Sequence, residues 1–105
     1  MKQFSESQQH LLRVLSLTFN FAARNIKCCV IAFKDEDAAQ NADQIVETAE
    51  KAGLIQYYRK NVVPDGLDGD RREQYQKFGR ALTLTDDAAN WLASKQVIKK
   101  RKSPN

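Results

Sequence analysis

The sequence predicts a mainly α-helical domain with a small β-hairpin, and three observations lead to this fold class. Apolar residues recur at helical spacing at 11–22 and again at 42–52, as expected where one face of a helix is buried. Residues 56–63 are instead rich in Tyr and Val, which favour strands, and the following Pro64-Asp65-Gly66 is typical of a turn. With 105 residues, 42% of them apolar, the chain has room for one modest core.

The first helix is predicted to begin near Ser5, because Ser5 and Gln8 have the spacing of a capping box. Its apolar stripe is wider than one contact needs. The helix is therefore expected either to lie centrally in the monomer core or to form a homodimer contact. The candidate dimer residues are Leu11, Val14, Leu15 and Phe21.

The segment Ile26–Phe33 is the most ambiguous, since so short an apolar run fits a buried strand or a buried helix. We favour a helix, with Lys34–Asp37 as the connection to a further helix at Asn41–Ala52. The alternative, a strand, would give an α+β domain.

The second half of the chain is predicted to form a hairpin between two helices. Gly53 suits the left-handed residue that ends a helix. The returning strand is expected to end at Leu84, although Arg71–Phe78 could equally form a short helix. Thr85 is placed to cap the last helix, with Asp86 and Asp87 in its first turn.

Two passages carry a resemblance to a known family. Residues 41–55 end a helix in Ala-Gly-Leu-Ile, and residues 79–92 read Gly-Arg-Ala-Leu-Thr-Leu-Thr-Asp-Asp-Ala-Ala-Asn-Trp-Leu. Both resemble winged helix-turn-helix transcriptional regulators of the MarR and PadR type. The resemblance implies a single winged-helix domain at residues 1–98, followed by a basic flexible tail at 99–105.

The resemblance also implies a partner, double-stranded DNA, with the third helix in the major groove and the wing on the backbone. Base-reading side chains would be Asn41, Gln44 and Thr48, which carry suitable hydrogen-bonding groups. Candidate phosphate contacts surround the hairpin and fill the tail: Arg59, Lys60, Arg71, Arg72, Lys77, Arg80, Lys99, Lys100, Arg101 and Lys102. Of the adjacent Tyr57 and Tyr58, we expect one to be a core residue and the other a surface residue.

The charge distribution favours a second hypothesis. The formal net charge is +4, but five of the seventeen cationic residues lie in the last eleven positions. Residues 34–51 hold six acidic residues against two lysines, on the surface that would approach phosphates. A winged-helix adaptor or inhibitor could instead present Asp43, Glu47 and Glu50 to a basic protein.

Catalytic and metal chemistry finds little support in the sequence. The only histidine, His10, has no nucleophile beside it, and the adjacent Cys28 and Cys29 are expected to be reduced. Asp65, Asp68 and Asp70 lack the spacing of a calcium loop. We expect no enzyme activity, no cofactor, no metal and no membrane association, and a cytoplasmic location.

Overall fold

The computed structural model describes residues 3–21 and 27–102, and for residues 96–102 it describes the backbone alone. Helices and strands alternate along these residues, in the order α1 (Glu6–Phe19), β1 (Cys28–Ala32), α2 (Glu36–Lys51), β2 (Ile55–Lys60), α3 (Gly69–Phe78), β3 (Gly79–Leu84) and α4 (Asp86–Lys102). Four helices and three antiparallel strands make a mixed α/β fold.

The returning strand β3 is the middle strand of the sheet, which has the order β1-β3-β2. Val30 lies opposite Ala81 in the β1–β3 pair, and Arg59 lies opposite the same residue in the β2–β3 pair. An irregularity between Ile55 and Tyr57 shifts the β2 register. Because β3 pairs with both β1 and β2, it joins segments that are far apart in sequence.

The core lies between the helices and one face of the sheet. Leu12, Leu15 and Phe19 of α1 are fully or almost fully buried, as are Leu82 and Leu84 of β3. The ring of Phe19 meets Phe33 and Tyr58 edge-on, with centroids 5.4 and 6.2 Å away. Helix α2 contributes small side chains to the same core, namely Ala39, Ala42, Val46 and Ala49.

The starts of α1 and α4 and the end of α2 follow from local chemistry, as the sequence predicts. Ser5 and Gln8 form the capping box of α1, and the Gln8 amide also donates to the Ala52 carbonyl at the end of α2. The Thr85 hydroxyl accepts from the backbone N–H of Ala88 and caps α4. Gly53, at φ +80°, is the left-handed residue after α2.

The connection between β2 and β3 is compact and contains helix α3. The turn at Pro64–Gly66 is present, and Asp68 stands immediately before the helix. At the other end, a Cβ on Gly79 would overlap the carbonyl oxygens of Val62 and Tyr75. Glycine at this position lets the chain turn directly from α3 into β3.

Two expectations need correction. Residues 28–32 of the segment Ile26–Phe33 form an edge strand and not a helix, while Ile26 lies outside the described residues. The hairpin is consequently part of a three-stranded sheet. Helix α2 also begins at Glu36, because Asp35 caps it through the backbone N–H of Ala38, so half of the expected connection, Glu36 and Asp37, is helical.

The alternative of a short helix near Arg71–Phe78 is confirmed by α3, and β3 ends at Leu84 as expected. Helix α4 continues through Lys102, so its backbone includes the four cationic residues at 99–102. The side chains of these four residues, positions 103–105 of the tail predicted at 99–105, and Ala22 of the first apolar stripe lie outside the described residues. Among the described helices, none combines the length and apolar character needed to cross a bilayer.

Candidate nucleic-acid interface

Helix α2 presents a polar stripe to solvent. Its buried residues repeat every three or four positions and face the core, so the opposite side carries Gln40, Asn41, Gln44 and Thr48, all exposed. We call these four residues the outward stripe. All four are uncharged and have side chains that can donate or accept hydrogen bonds. The three predicted base-reading residues therefore share one exposed helix face.

The carboxylates of α2 are distributed around this stripe. Glu36 and Asp37 lie in the first turn and are exposed, and Glu47 and Glu50 lie exposed in the second half. Asp43 differs, because its side chain is only 18% exposed and turns toward the sheet. One of the six acidic residues between Lys34 and Lys51 is thus engaged inside the domain, and five remain on its surface.

Asp43 is the acceptor of a partly buried polar cluster that joins α2 to the sheet. Arg80 of β3 donates to both carboxylate oxygens, from Nε at 2.7 Å and from Nη2 at 3.0 Å, and Tyr58 donates its hydroxyl. Lys60 Nζ lies 3.6 Å from the carboxylate. The remaining guanidinium nitrogen of Arg80 donates to the Gly79 carbonyl. Such a bidentate pair fixes the orientation as well as the distance between two elements.

The cluster also shifts the pKa values of its members. Burial alone would raise the pKa of Asp43, but the hydrogen bonds from Arg80 and Tyr58 and the charges of Arg80 and Lys60 outweigh it, so the pKa lies below its usual value. The hydrogen bond from the guanidinium to Asp43 raises the pKa of Arg80. Burial and the bond to Asp43 raise the pKa of the Tyr58 hydroxyl. The charged Asp43–Arg80 pair is therefore the stable form at neutral pH.

The prediction that Arg80 contacts phosphate is wrong, because its side chain is buried. It is 6% exposed, and its guanidinium nitrogens bond to Asp43 and Gly79. The sequence contains a signal for this position, because Arg80 alternates with Leu82 and Leu84 and so lies on the core face of β3. Neither the inward position of Arg80 nor the Asp43 cluster was predicted from the sequence.

A recess of about 500 Å³ lies beside the outward stripe. Glu36, Gln40 and Asp43 of α2 line one side, and Lys60, Lys77, Phe78 and Arg80 line the other. Gln40 thus borders both the stripe and the recess. The structure brings two of the predicted phosphate contacts, Lys60 and Lys77, next to the predicted reading helix.

The other predicted cationic contacts occupy different positions. Arg71 and Arg72 are exposed in the first half of α3, and Lys77 at its end pairs with Glu73 at 3.4 Å on the surface. Arg59 is exposed on the sheet face that points away from α2, because it alternates with Tyr58 and Lys60. The side chains of Lys99, Lys100, Arg101 and Lys102 lie outside the description.

The two tyrosines of β2 divide as expected. Tyr58 is half-buried against Phe19 and bonds to Asp43, whereas Tyr57 is 46% exposed. The guanidinium of Arg59 lies 5.8 Å from the centroid of the Tyr57 ring. Tyr57 and Arg59 therefore form a pair on the outer side of the sheet.

Of the four candidate dimer residues on and after α1, two are buried in the monomer. Leu15 is 0% exposed and Phe21 is 6% exposed, and both belong to the core. Leu11 and Val14 are half-buried, while Leu17 is 83% exposed. The dimer stays a prediction, and its contact would rest on Leu11, Val14 and Leu17.

Neither a metal-ligand cluster in the described residues nor a comparison with known proteins indicates a function. Within residues 3–21 and 27–102, no three His, Cys, Asp or Glu side chains converge as a metal site would require. Comparison of the sequence with models of known protein families found no match, and comparisons with curated proteins and with solved structures found none either.

Proposed function

We propose that the chain is a small winged-helix-type DNA-binding protein in which α2 takes the place of the reading helix and residues 61–78 take the place of the wing. The observation that carries the proposal is the position of Lys60 and Lys77 in the recess beside the outward stripe of α2. Neutral amide and hydroxyl groups can read base edges, and adjacent ammonium groups can pair with the flanking phosphates.

The proposal departs from the usual helix-turn-helix in one respect. That motif places two helices in succession, joined by a turn of three or four residues. In this chain α2 follows the strand β1, so α2 alone would enter the groove. The Asp43–Arg80 pair supports the proposal, because it fixes α2 against the sheet that leads into the wing.

A duplex titration tests the proposal. We expect random-sequence duplex DNA to bind at 50 mM salt with a dissociation constant below about 1 µM. Binding should weaken steeply at 200 mM salt, because the release of counterions from DNA is less favourable at higher salt. Replacing Lys60 and Lys77 by Gln should reduce the slope of log affinity against log salt by about 1 for each residue. Arg13→Gln, on α1, is the matched control and should leave the slope unchanged. Binding no tighter than micromolar even at low salt would reject the proposal.

A second function is favoured by the carboxylates that remain exposed on α2. Glu36, Asp37, Glu47 and Glu50 could face a basic protein, as in an adaptor or inhibitor. In that case a pull-down with this chain retains a protein that has a basic surface. Reversing Glu47 and Glu50 to Lys should then abolish retention, and undiminished retention would eliminate this alternative.

A further inference from the structure

The outer face of the sheet is a second surface, distinct from α2. Side chains alternate across each strand, so Arg80, Leu82 and Leu84 point to the core while Ala81 and Thr83 point outward. The register sets two outer rows across the three strands. Cys28, Thr83 and Tyr57 form one row, and Val30, Ala81 and Arg59 form the other.

These rows form a shallow surface with small residues in the centre. Ala81 and Thr83 of the middle strand lie between the exposed Val30, at 47%, and the exposed Tyr57, at 46%. Next along β3, at Gly79, the carbonyl oxygens of Val62 and Tyr75 lie close to the position that a side chain would occupy. A flat group can therefore reach the Tyr57 ring across a floor of small side chains.

The charge of the sheet is positive. Strands β1, β2 and β3 contain Arg59, Lys60 and Arg80 but no Asp or Glu. Of the three cations, Arg59 is the one that faces outward, beside Tyr57. The strands therefore give the outer face one cation, Arg59, and no carboxylate, in contrast to the acidic surface around α2.

We propose that the outer face of the sheet binds single-stranded nucleic acid, with a base stacked on Tyr57 and Arg59 contacting the adjacent phosphate. An exposed aromatic ring beside a guanidinium combines the two interactions on which such binding depends, base stacking and phosphate pairing. A double helix cannot use this surface in the same way, because its bases are already stacked on one another. The inference does not depend on duplex binding by α2, which involves the opposite side of the sheet.

The test is a fluorescence-anisotropy titration with a labelled ten-nucleotide oligo-dT at low salt. Tyr57→Ala should weaken binding roughly five- to 100-fold, since it removes the stacking platform. Tyr57→Phe keeps the ring and should bind like the unaltered chain. His10→Ala, which removes an exposed ring on α1, is the matched control and should have no effect.

Two results would overturn the inference: no binding of the oligonucleotide by the unaltered chain, or equal binding by the Tyr57→Ala variant. A parallel titration of Tyr57→Ala with duplex DNA separates the two proposals. Duplex affinity should be retained in this variant. Loss of duplex binding together with single-strand binding would also overturn the inference, because the two surfaces would then not be independent.

Discussion

At the residue scale, the role of Asp43 is to stabilise the packing of α2 on the sheet, since its side chain is only 18% exposed. Its carboxylate bonds to Arg80 and Tyr58, and the Arg80 side chain is only 7% exposed. Removing one partner of such a pair leaves the other charge buried without compensation. Asp43 is therefore a poor candidate for a protein-contact residue, whereas Glu47 and Glu50 remain on the surface.

Asp43→Asn should destabilise the domain by about 3 kcal/mol at pH 7, because the Arg80 guanidinium would lose its counter-charge. Denaturation with urea measures this difference. Glu47→Gln, an exposed carboxylate one turn further along α2, is the matched control and should change stability by less than about 0.5 kcal/mol.

The same pair gives a pH dependence of defined sign. The folded-state pKa of Asp43 is lowered, so its contribution to stability is complete above the unfolded-state pKa of about 3.9 and is lost as the pH falls through the folded-state value. The difference between the unaltered chain and Asp43→Asn should therefore be constant from pH 7 to about pH 5 and then shrink. A difference that persisted unchanged into strong acid would contradict this assignment.

At the element scale, the helices with clear periodicity and caps could be predicted and β1 could not. The helices α1, α2 and α4 are indicated by apolar spacing, by Ser5 and Thr85 at their starts and by Gly53 after α2. Strand β1 is a five-residue run, and its partner β3 lies about fifty residues away in sequence. Since pairing at that distance leaves no local signal, a short apolar run does not distinguish strand from helix.

Part of the candidate site could also be predicted from the sequence, namely which residues share a helix or strand face, whereas the recess could not. The spacing of Asn41, Gln44 and Thr48 places them on one helix face without coordinates. The separation of Arg59 from Lys60 onto opposite faces follows from strand alternation once the strand is assigned. The recess at Gln40 depends on how α2 packs against the β2–β3 connection, which no local pattern specifies.

The junction of α3 and β3 provides an element-scale prediction. Gly79→Ala should destabilise the domain by about 1–3 kcal/mol or more, since the added Cβ overlaps two carbonyl oxygens and forces the backbone apart. Gly53→Ala is the comparison, because nothing lies within 4 Å of its Cβ and only the left-handed backbone is disfavoured, at about 1–2 kcal/mol. Thermal unfolding of both variants measures the two effects, and a Gly79→Ala variant as stable as the unaltered chain would contradict the close approach.

At the scale of the whole molecule, the sheet separates two surfaces of different character. Helix α2 carries the neutral outward stripe with carboxylates around it, and the opposite side of the sheet carries Tyr57 and Arg59. The exposed carboxylates oppose phosphate binding by α2, so their removal should strengthen it if α2 does approach DNA. The sign of that response distinguishes the reading-helix role from any other role of the helix.

The most direct measurement is the duplex-DNA affinity of Glu47→Lys at two salt concentrations. If α2 faces the duplex, the variant should bind several-fold more tightly, with a salt slope steeper by about 1. Ser7→Lys combined with His10→Lys adds the same two units of positive charge at exposed positions of α1 and should produce a smaller change. Equal responses from the two variants, or no response from Glu47→Lys, would contradict the placement of α2 against DNA.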